Sequence, residues 1–258
     1  TTITDVMING SLGSLEGPSV DLLGDLRVTG TLGLLHLDDV VGAQQTICME
    51  SAISVNSRFT FDQVSDLDIE SSGNIRLIRA TEWIDGDSQG DLIHASSLKS
   101  LQITGDRGRD MAGDFEADLT LDGDADMMLL GSARIAGNIV GAQWWIDGRG
   151  GSASVGGKVT DFELHSGGDF GTLRVGSAQN VKVDVDGRIR TLWAGKWQGG
   201  SVEADRVSKL MTSRRGDFDA DMTLHGQDGQ HSLTLARIGG ELVSGDWKID
   251  GAVRRIQV

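Results

Sequence analysis

Apolar and polar residues alternate along the chain. In 113–123, GDFEADLTLDG, Phe115, Ala117, Leu119 and Leu121 share one parity. Asp114, Glu116, Asp118, Thr120 and Asp122 share the other. Side chains on a strand point alternately to opposite faces, so this pattern predicts a strand with one buried and one wet face. A helix would spread the acidic residues around its whole circumference. Shorter alternations recur in LRVTG, LQIT, LRVG, VKVDVDG and SLTLARI, and turn residues such as Gly, Asp-Gly or Ser-Gly usually end them. Glycine accepts positive φ, and aspartate can bond the backbone two residues on. No long stretch carries a 3.6-residue apolar period. The nearest, GNIRLIRATEWI from Gly73, has a repeat partner broken by Gly195.

The alternating phrase is written twice. It returns as GDFDADMTLHG in 216–226, and the match continues at the same offset of 103, with ARIAGNIVGAQWWIDG (133–148) over ARIGGELVSGDWKIDG (236–251). Upstream, GNIRLIRATEW (73–83) lies over GRIRTLWAGKW (187–197) at an offset of 114. A short insertion around Asp106 to Met111 accounts for most of the difference. The chain therefore reads as one elongated unit over 1–258. It has a loosely repeated start, 1–70, and a long internal repeat with copies at 71–185 and 186–258.

Short strands, glycine-rich turns and a long repeat together predict an all-β parallel β-helix, or β-solenoid. With coils of roughly 20 residues stacked about 4.8 Å apart, the chain makes about a dozen turns. The coil is expected to be right-handed. Phe115 and Phe218 are expected in the interior. An antiparallel sandwich or a β-propeller is the competing architecture. Pro18 is the one proline, as expected where most strands have a neighbour on each side. The closing GAVRRIQV reads as a strand, which suggests that the chain continues or self-associates, or that Arg254 and Arg255 guard the edge by charge.

Composition supports a packed chain: 37 glycines stand among evenly spread aliphatic residues. With 38 acidic and 23 basic residues, the formal charge is -15. A nucleic acid or an anionic lipid surface is thus an unexpected partner. No membrane-inserting stretch is visible. Cys48, the one cysteine, rules out an intrachain disulfide. Lying between apolar residues in TICME, it reads as a small buried hydrophobe.

The string GRIRTLWAGKWQGGSVEADRV (187–207), with GDFDADMTLHG after it, resembles the glycine-rich β-solenoid repeats of large exported proteins from planctomycetes and related bacteria. Gly187, Ile189, Leu192, Ala194, Gly195 and Trp197 carry the first part of the likeness; Gly216, Phe218, Ala220, Leu224 and Gly226 carry the second. The first copy departs from it at Arg79 and Thr81. The resemblance covers 71–258 and implies export, a cell-surface or extracellular location and a structural role. It implies no catalytic residue.

Recognisable chemistry is sparse. His36, His94, His165, His225 and His231 form no zinc-binding spacing, and no nucleophile, phosphate-loop or dinucleotide motif is present. An enzyme is not expected. No cofactor is expected either, although calcium, which takes six to eight hard oxygens, is the ion that Asp122, Asp124 and Asp126 in DGDAD could serve. Trp145 aligns with Lys248, and Trp193 with Arg79. A position that accepts a cation in one copy faces outward, so Trp145 and Trp193 are the binding candidates. Trp83 aligns with Trp197 and reads as packing. The expected partners are other copies or neighbouring domains of a longer chain. The alternative is a solenoid that binds or cleaves polysaccharide.

Overall fold

The computed structural model describes residues 1–42, 44–51, 56–87, 89–226 and 229–258. These residues are all-β with no helix, and the parallel strands stack about 20 residues apart into a β-solenoid of about 12 turns. Accordingly, among the described residues no helix is long and apolar enough to cross a membrane. Pro18 sits in the turn between the strands Leu12–Gly17 and Asp21–Leu22.

Each coil has three walls. The first includes Asp118–Leu121 and Gln143–Ile146. The second includes Met128–Ile135 and His231–Arg237. The third is a series of short pairings through Trp83, Phe115 and Ile139. Parallel pairing in register places like position on like position, so the inward positions of each wall form continuous columns. On the first wall the column runs from Val6 through Leu26, Ile47, Ile69 and Ile93. It continues through Leu119, Trp144, Leu164, Val183, Val202 and Met222 to Trp247. Most of these side chains belong to one buried cluster that runs the length of the molecule, with Val6 and Trp247 packed on it at the ends. Phe115 and Phe218 are fully buried, as the alternation predicts.

The internal repeat corresponds to a whole number of coils. The third-wall column steps from Trp83 to Phe115, Ile139, Val159, Ala178 and Trp197, which is five coils. Phe115 reaches Phe218 in the same number of steps. The two sequence offsets differ because Trp83 to Phe115 takes 32 residues where Trp197 to Phe218 takes 21. The excess lies in the corners of the longer coil, where a local antiparallel bridge joins Asp106 to Met111. The packing repeats too. Trp83, Phe115 and Trp144 meet with ring centroids 5.8 and 6.1 Å apart. Trp197, Phe218 and Trp247 meet at 5.6 and 5.8 Å.

Stacking also explains the glycines. A Cβ on Gly151 or Gly171 would collide with the carbonyl oxygen of Gly131 or Gly151 in the coil before. A second stack runs through Gly156, Gly176, Gly195 and Gly216, each seated on the carbonyl of its predecessor, which for Gly156 is Ala136. The aspartates of the corners have a matching role. The carboxylates of Asp25, Asp68 and Asp118 accept the backbone N–H of Thr46, Leu92 and Gln143 at 2.9, 2.8 and 2.6 Å. Asp114 and Asp217 do the same for Asn138 and Glu241 at 2.7 and 2.8 Å. Where the chain turns and leaves the sheet ladder, a side-chain oxygen replaces the missing carbonyl. Gly171→Ala should therefore lower unfolding stability by about 1–3 kcal/mol through overpacking. Gly13→Ala, where an added Cβ meets nothing within 4 Å, should change it by less than about 0.5 kcal/mol. Urea denaturation of the two variants checks the contrast.

Candidate functional site

Outward residues of the first wall form their own ladder. Thr120 is followed by Trp145, His165, Asp184 and Glu203 on successive coils. Trp145 is 52% exposed, as its alignment with lysine predicts. Its ring stacks on His165 with centroids 4.0 Å apart and planes 21° apart. Its Nε1–H donates to Asp147 Oδ1 at 2.5 Å. Thr120 on the preceding coil is short. The result is a recess of about 370 Å3, rimmed by Asp118, Gln143, Glu163 and Lys182. Lys182 Nζ donates to Glu163 at 2.5 Å, and His165 lies 3.2 Å from Asp184. Burial pushes the Asp118 carboxyl up, against the stabilising N–H of Gln143. A pre-positioned aromatic ring beside hydrogen-bonding groups can accept the face of a sugar ring.

The other predicted site residues lie elsewhere. Trp193 is half-buried on the second wall, with the Arg174 guanidinium carbon 3.7 Å from its ring centroid. A cation–π contact thus occupies part of that indole. Asp122 lies 3.0 Å from His94 Nε2, and Asp124 accepts the N–H of Asp126 within its own turn at 3.0 Å. Among the described residues, the groups of three carboxylates with oxygens within 4.8 Å of one another are instead Asp38, Asp39 and Asp62, and Asp66, Asp85 and Asp87. The first unites residues on successive coils, and the Arg109 guanidinium holds Asp62 below the usual carboxylate range. In the second, Asp66 Oδ1 already accepts the N–H groups of Gly86 and Asp87 at 2.6 and 3.1 Å. Hydrogen bonding thus accounts for that cluster.

Cys48 corrects the expectation of burial. Its apolar neighbours Ile47 and Met49 turn inward, while Cys48 is half-buried on the outward row between Arg27 and Glu70. Burial nevertheless pushes its thiol up, with Glu70 adding to the effect, so the reactive thiolate is disfavoured. His225, which stands where the first copy has Asp122, gives a second pairing. His94 meets Asp122, and five coils on, Glu203 meets His225 at 2.8 Å with acid and base exchanged.

Charge is divided by wall, which the net value conceals. From residue 71 onward the second-wall segments 73–80, 98–103, 128–135, 150–155, 170–175, 187–194, 206–212, 231–237 and 252–257 contain no Asp or Glu. They carry Arg76, Arg79, Lys99, Arg134, Arg174, Arg190, Lys209 and Arg237, all exposed. The first wall carries Glu70, Asp184, Asp186, Glu203 and Asp205, also exposed, against the exposed cations Lys182, which is paired with Glu163, and Lys248.

Asp91 is the most perturbed acid and is only 1% exposed. Burial, with the charges of Asp66 and Asp85 adding to it, pushes its carboxyl up to about 7 against the bonds from Trp83 Nε1–H and Leu67 N–H. Its seclusion from solvent makes it a structural acid beneath the Asp66 corner. No protein-family model, curated protein or solved structure matches the chain.

Because the folded carboxyl of Asp91 binds its proton more tightly than the unfolded one, its contribution to stability is present below about pH 4. The contribution is lost as pH rises through about 7. The loss is at most about 4 kcal/mol. Asp91→Asn should remove this component and raise the relative stability at pH 8 over pH 5, as read from denaturant midpoints at the two values.

Proposed function

We propose that the chain is a structural module of an exported, cell-surface protein: a rigid rod that transmits load along its backbone ladders and associates with other modules of its kind. The observation that supports this most is the unbroken first-wall column from Val6 to Trp247. Such a column couples each coil to the next by main-chain bonds and packed side chains, as in quasi-one-dimensional repeat proteins. The likeness of 187–226 to exported solenoid repeats supports the location. On this reading the chain has no catalytic residue. Pulling the molecule by its ends should extend it in steps that are multiples of about 70 Å, one coil of about 20 residues at about 3.5 Å each. Extension without a resolved force peak contradicts the reading.

A second reading, carbohydrate recognition, is favoured by the Trp145 recess. The ring is fixed before any ligand arrives, which lowers the cost of ordering it on binding. Its acidic rim suits a neutral or amino sugar over a uronate. Trp145→Ala should change stability by less than about 0.5 kcal/mol, as for other surface positions. On this reading it should also abolish retention on insoluble glucan or chitosan. Failure of the parent chain to be retained on either polymer removes the reading.

A further inference from the structure

We propose that the rods pack side by side, the basic second wall of one copy against the acidic first wall of the next. This names the contact behind the association proposed above and rests on that reading. The outward row of the second wall carries Arg79, Gln102, Arg134, Ser154 and Arg174 on successive coils. Over these five coils cations stand on alternate coils, separated by neutral hydrogen-bonding side chains; further on, Trp193 and Met211 precede Arg237. This spacing keeps like charges about 10 Å apart, twice the coil rise of about 4.8 Å. Among the described residues no carboxylate lies within ion-pair distance of Arg79, Arg134, Arg174 or Lys209, so these charges are unneutralised, Arg174 lying on the Trp193 ring.

A second copy supplies what this wall lacks. The first wall presents Glu70, Asp186 and Asp205, exposed and outside any ion pair among the described residues. Both walls share one coil rise because both belong to the same solenoid, so facing charges can meet at multiples of that rise; on the first wall His94, Thr120, Trp145 and His165 separate Glu70 from Asp184 and Glu203. A polyanion would also meet the second wall, but it must approach a molecule of net charge -15. A second copy meets each wall with its opposite. The two patches lie on different walls, so the contact is heterologous and propagates into a sheet or filament instead of closing as a dimer. Arg serves such a contact well because its planar donors can hold a carboxylate by two bonds.

Sedimentation of the whole chain, as a function of concentration and salt, tests the proposal. The parent should associate at roughly 10 mM salt, where the screening length is about 30 Å, and dissociate toward 1 M, where it is about 3 Å. Arg79→Glu/Arg134→Glu/Lys209→Glu should abolish association, as should Glu70→Arg/Asp186→Arg/Asp205→Arg. Mixing the two triple variants should restore it, because one then offers two acidic walls and the other two basic ones. A parent that stays monomeric at low salt overturns the proposal. So does association that survives at 1 M salt or in both variants; that result would point to stacking at the rod ends and leave the load-bearing reading intact. Retention of the parent on immobilised polygalacturonate through the same arginines, without self-association, would assign the wall to a polyanion and also overturn it. If either variant fails to fold by circular dichroism, the salt series on the parent still decides.

Discussion

The main constraint on this molecule is that every residue must stack on its counterpart about 20 residues away. A parallel ladder in register brings identical positions within about 4.8 Å, so a side chain is chosen against its own neighbours in the column. Apolar residues benefit, because each buried ring or methyl group sits between two others. Trp83, Phe115 and Trp144 illustrate this, with edge-to-face contacts whose counterparts in the second copy are a tilted Trp197–Phe218 contact and an edge-to-face Phe218–Trp247 contact. Where the backbone itself approaches the coil below, only glycine fits, and the stack Gly156, Gly176, Gly195 and Gly216 follows.

For charges the same constraint is a penalty. Like charges on adjacent coils repel, and the chain reduces this in three ways, although Asp184 and Glu203 still stand on successive coils. Aspartates at the corners are turned onto backbone N–H groups of the following coil, as Asp118 is onto Gln143. Opposite charges are placed on neighbouring coils, as in His94 with Asp122 and Glu203 with His225. Arginines on the second wall are diluted with Gln102 and Ser154. The acidity of the chain therefore serves the turns and the first wall, while the second wall is positive.

Much of the architecture could be read from the sequence because period-two alternation and the repeated phrase report burial directly. Phe115 and Phe218 lie where the parity puts them, and Trp145 is exposed as its alignment with Lys248 implies. The basic wall does not show in the net charge, which averages over faces, although its signal is in the sequence: from residue 71 onward the segments aligned with GRIRTLWA lack acids. Cys48 faces outward because parity on the strand, not the apolar character of Ile47 and Met49, sets its face. The clusters of Asp38, Asp39 and Asp62 join residues from adjacent coils, and that proximity depends on coil lengths that vary from corner to corner. The burial of Asp91 likewise depends on the corner formed by Asp66 and Asp85.

Spin-label distances test the stacking most directly. Cys48 and Asp184 lie on one outward row, six coils apart, and Lys248 lies nine coils from Cys48. With labels on Cys48 and on Asp184→Cys or Lys248→Cys, the account predicts separations of about 29 and 43 Å, rising linearly at about 4.8 Å per coil. Two distances of similar size, or a shorter one to position 248 than to position 184, would mean that the segments do not stack along a single axis.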